Sequence, residues 1–165
     1  YDTTLSTARA QKTNYDSYYC STGTLLLNET VRVTDITDGS SNTIMVGEQS
    51  GSVGGADIRN RYYTPWGAAA NWDANSTGKT VAAMTAASVD LYGNGLTCVR
   101  YQNNSRTAAA GSDQVYDANT LLNSYHTGGI NVLLADGSVR FVPDTADFVN
   151  FKKMCMRNDG LVLTE

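Results

Sequence analysis

The clearest alternation of apolar and polar positions lies near the C-terminal end of the chain. Ile130, Val132 and Leu134 alternate with the residues between and after them, which predicts a β-strand. Asp136 and Gly137 follow, and Asp-Gly favours a hairpin turn because glycine adopts a positive φ without a Cβ penalty. The run "SVRFVP" then alternates again, and its proline is expected to end the second strand of the hairpin.

A helical period follows the predicted hairpin. Phe148, Phe151 and Cys155 recur at i, i+3 and i+7, which places them on one apolar face of a helix. Asp144 or Thr145 is expected to cap this helix at its N-terminus. The lysines and arginine that follow suit the C-terminal end of the helix dipole, and the final Asn-Asp-Gly triplet is a stop signal.

Patterns earlier in the chain are weaker. Residues 29–33 alternate and predict a strand, and the following "TDI" predicts a helical turn. "TIMVGEQS" predicts a short buried strand, with Gly47 as a bulge or a point of close approach. Residues 79–91 have an approximate helical period, and "LTCVRYQ" alternates as a strand does. Most of the remaining chain has the composition of loops.

Together these elements predict the α+β class. We expect a mainly antiparallel sheet with long loops and one C-terminal helix. A chain of 165 residues suits a single domain, spanning 1–165, with enough length to bury a core. The chain shows no βαβ alternation, internal repeat or P-loop sequence.

Composition adds an expectation about location. Thr, Asn, Ser and Gly supply 62 of the 165 residues, and ten more are Tyr. Such neutral, turn-rich surfaces are commoner outside the cell, so we expect an extracellular or cell-surface protein. A net charge of -4 and a pI near 4.9 argue against a nucleic-acid partner, which requires a basic face. The chain opens on Tyr1 in a polar stretch, so membrane anchoring is expected only through an upstream segment.

The three cysteines leave two alternatives open. Cys20, Cys98 and Cys155 are far apart and form no CxxC pair. With a single histidine in the chain, this spacing argues against a zinc site, and no metal site is predicted. In an oxidising compartment two of the three would pair, whereas buried unpaired thiols are equally compatible with the sequence.

The only histidine, His126, is the first candidate for chemistry. A nucleophile-and-base arrangement needs a hydroxyl or thiol beside the imidazole, but the chain has no GxSxG nucleophile elbow. The residue lies just before a Gly-Gly pair that leads into the predicted strand. We therefore predict a structural role, with a buried ring bonded to backbone groups near the sheet end. Asp136 and Gly137 would close the hairpin at its other end, and the protein is predicted not to be an enzyme.

The segment "DITDGSSNT" is the second candidate. Asp35, Asp38 and Asn42, with Glu48 beyond, supply the hard oxygen ligands that calcium prefers. Their spacing is not that of an EF-hand, and the same residue types form Asx turns without metal. We prefer a turn at Asp38 and Gly39, and no cofactor is predicted.

Two of these segments also carry a family resemblance. "VTDITDGSSNTIMVGE", residues 33–48, resembles the Asp-Gly-x-Ser-Asn-Thr-apolar-Glu segment of a large family of planctomycete surface proteins, catalogued as domain of unknown function 1559. "HTGGINVLLADGSVRFV" resembles that family's His-x9-Asp-Gly signature, here His126 to Asp136-Gly137. "RNDG", residues 157–160, resembles its closing motif, although Leu161 stands where the family often has Glu.

The resemblance implies a fold and a function. Members of the family are similar to type IV pilins and pseudopilins, so it implies a pilin-like globular domain, here without the N-terminal helix. It also implies a non-enzymatic structural subunit that self-assembles into a pilus-like fibre or surface layer. The loop aromatics would serve that self-association or, alternatively, an adhesion module that binds carbohydrate or a surface. These aromatics are Tyr62, Tyr63, Trp66 and Trp72.

Overall fold

The structure is a computed structural model of the 165-residue chain. For six short strands it describes the backbone alone: 10–12, 18–20, 52–53, 56–57, 69–70 and 91–92. With side chains it describes residues 22–26, 29–50, 97–105, 121–161 and 163.

These ranges contain nine strands and one α-helix. Six strands form three separate antiparallel pairs, β1 with β2, β4 with β5 and β6 with β7, while β3, β8 and β9 form the main sheet. The strands are β1 (Ala10–Lys12), β2 (Tyr18–Cys20), β3 (Ile44–Gly47), β4 (Ser52–Val53), β5 (Ala56–Asp57), β6 (Ala69–Ala70), β7 (Leu91–Tyr92), β8 (Gly129–Leu134) and β9 (Val139–Pro143), and the helix is α1 (Phe148–Met154).

The predicted hairpin is confirmed as β8 and β9. The two strands are antiparallel, with Ile130 opposite Val142. The Gly137 N–H donates to the Leu134 carbonyl at 3.0 Å, and Gly137 has φ +87°. Because Asp136 keeps a negative φ, the connection is a three-residue loop in which only the glycine is left-handed.

The main sheet has the order β3-β8-β9 and is antiparallel throughout. One face of β8 is buried, with Ile130, Val132 and Leu134 packed against Phe151 of α1. On β9 it is Val142 that turns to this core, while Val139 and Phe141 face away from it. The buried core residues are Ile44, Leu122, Ile130, Val132, Leu134, Val142, Phe151 and Met154.

Helix α1 is confirmed, but its cap differs from the prediction. Asp147 is the N-cap, and its Oδ1 accepts a hydrogen bond from the Asn150 N–H at 2.8 Å. Asp144 does not cap the helix, because its own N–H still extends the hairpin ladder by donating to Gly128 at 2.8 Å. The cap at Thr145 is likewise wrong, since the chain reaches helical geometry only at Phe148.

The strand predicted at "TIMVGEQS" is confirmed as β3. A Cβ on Gly47 would lie 2.5 Å from Leu122 Cδ1, so the expected close approach occurs at this glycine. The irregularity in the register lies between Ile44 and Val46, so the bulge precedes Gly47. The helical turn predicted near "TDI" is confirmed as a 3-10 turn at Val33–Asp35.

Two predicted strands are wrong. Residues 29–32 form no strand, and neither do residues 97–102. Alternation alone does not make a strand without a neighbouring ladder, and the second segment is instead fixed by side-chain hydrogen bonds. The predicted helix at 79–91 lies outside the described residues except for Leu91, which belongs to β7.

Hydrogen bonds join the two residues after Glu48 to residues 97 and 121–123. Gln49 Nε2 donates to Thr97 Oγ1 at 2.8 Å and to the Leu121 carbonyl at 2.9 Å. The Ser50 N–H donates to Asn123 Oδ1 at 2.8 Å. The residues on either side of segment 51–96 therefore lie close together beside the sheet.

The described elements confirm the α+β class. They comprise a small antiparallel sheet, short strand pairs and one helix. Among the helices of the described ranges, none combines the length and apolar character needed to cross a bilayer.

Candidate functional site

Glu48 joins the first motif to the strand of the second. Because β3 runs antiparallel to β8, the ladder continues one residue beyond β3, and the Glu48 N–H donates to the Asn131 carbonyl at 3.3 Å. The same pairing brings the carboxylate onto β8. Glu48 Oε2 accepts from the Asn131 N–H at 2.6 Å, and Oε1 accepts from Asn131 Nδ2 at 3.3 Å. The glutamate thus binds β8 through both backbone and side chain.

His126 reaches the same carboxylate. Its Nε2 lies 3.1 Å from Glu48 Oε1, although the two residues are 78 positions apart in the sequence. The His126 side chain is 59% exposed, so the predicted buried ring bonded to backbone groups is wrong. The turn before β8 explains the difference. The His126 N–H donates to Ser124 Oγ at 3.0 Å, Gly128 is left-handed, and the ring remains outside the sheet.

The surroundings of Glu48 favour its ionised form. Burial by itself raises the pKa of this carboxyl group. The hydrogen bonds from Asn131 and Ser124, and the nearby charge of His126, outweigh burial and leave the pKa of Glu48 below its ordinary value. Glu48 is therefore an anion that accepts hydrogen bonds, and protonation of His126 makes the contact an ion pair.

Ser124, His126 and Glu48 are residue types of a catalytic triad, but their contacts follow a different order. In such a triad the imidazole lies between the hydroxyl and the carboxylate, and it removes the hydroxyl proton. Here the carboxylate contacts both the hydroxyl and the imidazole. Within the described ranges the imidazole contacts Glu48, so it does not lie between the hydroxyl and the carboxylate as it does in a triad.

Asp38 connects the first motif to the C-terminal "RNDG" segment. Asp38 Oδ2 accepts from the Asp159 N–H at 2.6 Å, and Oδ1 accepts from the Gly160 N–H at 3.1 Å. The Asp38 N–H donates to the Arg157 carbonyl at 3.2 Å. Gly39, at φ +95°, turns the chain immediately after this contact. Both carboxylate oxygens are thus used to hold the chain's own backbone.

The Asp136-Gly137 loop docks on the same segment. The Asp136 N–H donates to the Ser40 carbonyl at 3.1 Å. Fully buried Thr43 supports this contact from below, since its Oγ1 donates to the Gly39 carbonyl at 3.0 Å. The Ser138 hydroxyl and N–H donate to Asp136 Oδ1 at 2.7 and 2.9 Å and lower the pKa of Asp136. All three motifs therefore meet around the turn at residues 38–43.

The oxygen ligands considered for calcium do not converge. Asp35 Oδ2 accepts from the Arg32 N–H at 2.8 Å, while Asp38 binds the 159–160 backbone and Glu48 binds β8. Asn42 closes the local turn, with its N–H donating to Gly39 at 3.0 Å. Within the described residues, no group of three or more His, Cys, Asp or Glu side chains could hold a metal ion.

A cavity of about 490 Å³ lies beside Asp38. Among the described residues that line it, Asp38 is the one carboxylate, and both of its oxygens accept backbone hydrogen bonds. Its lining residues are Thr37, Asp38, Asn42, Lys153, Gly160, Leu161 and Leu163.

Sequence reasoning missed a second polar cluster near the sheet. Asp144 Oδ1 accepts from Asn103 Nδ2 and from Asn104 Nδ2, each at 2.8 Å. Asn103 is buried and also donates to the Val142 carbonyl at 3.3 Å. Asn104 has φ +56°, a conformation that asparagine tolerates better than most residues. The adjacent asparagines were the only local signal, and nothing near them in the sequence indicates Asp144 as their partner.

The structure also bears on the cysteines. Cys98 is buried and disulfide-bonded, whereas Cys155 is free. Burial raises the pKa of the Cys155 thiol to about 12, so the reactive thiolate is scarce at neutral pH. One disulfide, rather than three unpaired thiols, is thus present. The four loop aromatics predicted to mediate contacts (Tyr62, Tyr63, Trp66 and Trp72) lie outside the described residues.

These observations define an α+β domain whose motif side chains bind its own backbone. A family model described as "Protein of unknown function (DUF1559)" matches residues 1–149. The chain belongs to this family, which confirms the resemblance noted from the sequence. No curated protein and no solved structure matches the chain.

Proposed function

We propose that this protein is a non-enzymatic structural subunit that self-assembles into a fibre or surface layer. One observation carries the proposal: three carboxylates of the first two motifs are engaged in holding the chain together. Glu48 binds β8, Asp38 binds the 159–160 backbone, and Asp136 closes its own turn. Carboxylates used in this way support a structural role for the motif segments.

Exposed apolar side chains support self-association. Scattered single residues are normal on a protein surface, but two of these lie on one strand of the main sheet. The net charge of -4 is small for 165 residues, so copies of the chain repel one another weakly. The large exposed apolar residues in the described ranges are Leu25, Val33, Tyr125, Val139, Phe141, Val149 and Leu161.

The proposal includes an extracellular or cell-surface location. The disulfide at Cys98 supports it, because disulfides persist mainly in oxidising compartments. In this proposal the chain is the globular part of a pilin-like subunit, and any membrane anchoring depends on an upstream segment. The neutral, Tyr-rich composition is consistent with the same location.

Self-assembly can be tested directly on the purified, oxidised chain. We expect sedimentation velocity to show larger species as the concentration rises, and negative-stain electron microscopy to show regular fibres or sheets. A chain that remains monomeric at every concentration, with and without its encoded upstream sequence, would contradict the proposal. His126→Ala should assemble like the wild type, since the proposal assigns the imidazole no chemistry.

A further inference from the structure

Strand β9 is a terminal strand of the main sheet in the part of the chain that the structure describes. The Leu134 N–H donates to Ser138 at 2.8 Å, and the Asp144 N–H donates to Gly128 at 2.8 Å, at the two ends of the hairpin. By the alternation of an antiparallel ladder, the even-numbered residues of β9 turn their backbone groups toward β8. Val139, Phe141 and Pro143 therefore turn theirs outward, where the sheet has no further strand among the described residues.

The side chains along this edge are exposed and apolar. Val139 is 69% and Phe141 48% exposed, both on the face opposite the core. Phe141 lies across Gly129, where an added Cβ would come within 2.5 Å of its Cζ atom. Pro143 has no N–H, and its carbonyl already accepts from the Ala146 N–H at 3.0 Å. The edge therefore offers two donors and two carbonyl acceptors, at Val139 and Phe141, beside the remaining lone pair of the Pro143 carbonyl. An exposed edge of this kind is a template for strand addition.

We infer that a second copy of this chain adds to the edge, β9 against β9, antiparallel about a two-fold axis at Phe141. The inference rests on the proposed self-assembly and deepens it by specifying one contact. A two-fold contact of this kind closes on itself, so it produces a dimer, and a fibre requires a second, different contact elsewhere on the surface.

The available hydrogen-bond donors fit this register. With the axis at Phe141, each Phe141 N–H faces the Phe141 carbonyl of the second copy. Each Val139 N–H faces the carbonyl of Pro143 of the second copy, which also accepts from its own Ala146 N–H and has a second lone pair. All four outward donors thus gain acceptors, whereas the Val139 carbonyls, opposite a proline without an N–H, gain no donor.

Charge also favours this register over its neighbour. An axis at Arg140 would also satisfy the donors, but it would set each Arg140 directly opposite its copy, and directly opposed like charges destabilise a strand pair. With the axis at Phe141, Arg140 instead faces Val142 of the second copy. Asp144 of the second copy then lies at one diagonal from Arg140 and the second Arg140 at the other, so the like charges are no longer directly opposed and an opposite charge lies beside them. This self-complementary pattern of donors and charges favours a second copy as the partner.

A charge-swap experiment tests the register. Phe141→Lys and Phe141→Glu should each abolish the dimer in sedimentation equilibrium, because like charges would meet at the axis. An equimolar mixture of the two variants should restore it as a heterodimer. Val139→Lys and Val139→Glu are matched controls. Val139 faces Pro143 of the second copy, so mixing these two variants should restore nothing beyond either one alone.

A second measurement guards against misfolding of the charged variants. In a Cys155→Ala background, mild oxidation of Phe141→Cys should give a disulfide-linked dimer, since directly opposed residues have Cα atoms about 5.5 Å apart. Val139→Cys, several residues from its own copy, should remain uncrosslinked.

The outcomes separate this inference from the proposed function. Restoration by the mixed Phe141 variants, with selective crosslinking at Phe141, would support the register. Wild-type protein that assembles, together with Phe141→Lys that assembles equally well, would overturn the β9 contact and leave the proposed function intact. A strictly monomeric wild type would overturn both.

Discussion

Asp38 and Glu48 each join the first motif segment to a distant part of the chain, but they do so through different partners. We call these two sets of contacts the Asp38 and Glu48 junctions. At Asp38 both carboxylate oxygens accept hydrogen bonds from backbone N–H groups far along the chain, those of Asp159 and Gly160. At Glu48 one carboxylate oxygen accepts from the backbone N–H of Asn131 on β8. The other accepts from the Asn131 side-chain amide and also contacts the exposed ring of His126. The partners at Asp38 are backbone groups, whereas one partner at Glu48 is an imidazole open to water.

The difference shows which contacts hold the scaffold together. In both junctions the shortest bond, 2.6 Å, joins a carboxylate to a backbone N–H. Bonds between ionised groups and backbone are among the stronger hydrogen bonds in proteins. The imidazole is an added contact at the surface, where ion pairs contribute little. The sequence signature draws attention to His126, but the glutamate that it contacts carries more of the stability.

Glu48→Ala should have the largest effect. It removes the acceptor of the 2.6 Å bond and leaves the Asn131 N–H and side chain without this partner. We expect a loss of about 2–3 kcal/mol in the free energy of unfolding, measured by urea denaturation. Glu48→Gln keeps a carbonyl acceptor and should lose less. A loss for Glu48→Ala no greater than that for His126→Ala would contradict the comparison.

Asp38→Ala should have the next largest effect. Its loss frees the Asp159 and Gly160 N–H groups, but this part of the chain is more open to water, which replaces part of the bonding. We expect a loss of about 1–2 kcal/mol. Amide hydrogen exchange should locate the change at residues 157–161, and unchanged protection at Gly160 would argue against the role given to Asp38.

His126→Ala should destabilise the protein least. A buried ring would leave orphaned partners on substitution, at a cost of about 1–3 kcal/mol. Because the ring is exposed, we expect a loss of less than about 1 kcal/mol in the free energy of unfolding. In a double-mutant cycle with Glu48→Ala, the coupling energy should be equally small and should decrease with added salt. A coupling energy well above about 1 kcal/mol would show instead that the contact of His126 with Glu48 is important for stability.

The pH dependence of the folding stability tests the role of the Glu48 carboxylate separately. The pKa of Glu48 in the folded state lies below its ordinary value of 4.5, so the carboxylate stabilises the fold above that pH. This contribution is lost as the pH falls through the folded-state pKa. Glu48→Gln should therefore lose less stability than the wild type on acidification, as followed by thermal unfolding at a series of pH values. Parallel curves for the two proteins would show that another group dominates.

Local sequence patterns predicted the elements that local chemistry determines. Alternation and Asp-Gly located the β8–β9 hairpin, the helical period located α1, and Gly47 proved to be a point of close approach. Alternation failed at residues 29–33 and 97–102, because pairing depends on a partner strand that the pattern does not reveal.

The sequence predicted which residues belong to the candidate site, but it did not predict which groups they contact. Asp38, Glu48, His126 and Asp136 were all selected from motif segments, yet each binds a partner that the sequence does not indicate. Glu48 and His126 are 78 positions apart, and only the β3–β8 register brings them together. The Asn103–Asp144 contact was missed for the same reason, in a chain where asparagine is common.

The contacts of Gln49 and Ser50 have a consequence for how this protein can vary. Gln49 holds Thr97 at 2.8 Å, so the 51–96 segment departs and returns at nearly the same place. A change in the length of this segment therefore leaves both of its attachment points beside the sheet in place. Where the added residues are themselves unstructured, closing the longer segment between fixed ends costs only about 0.6 kcal/mol for each doubling of its length.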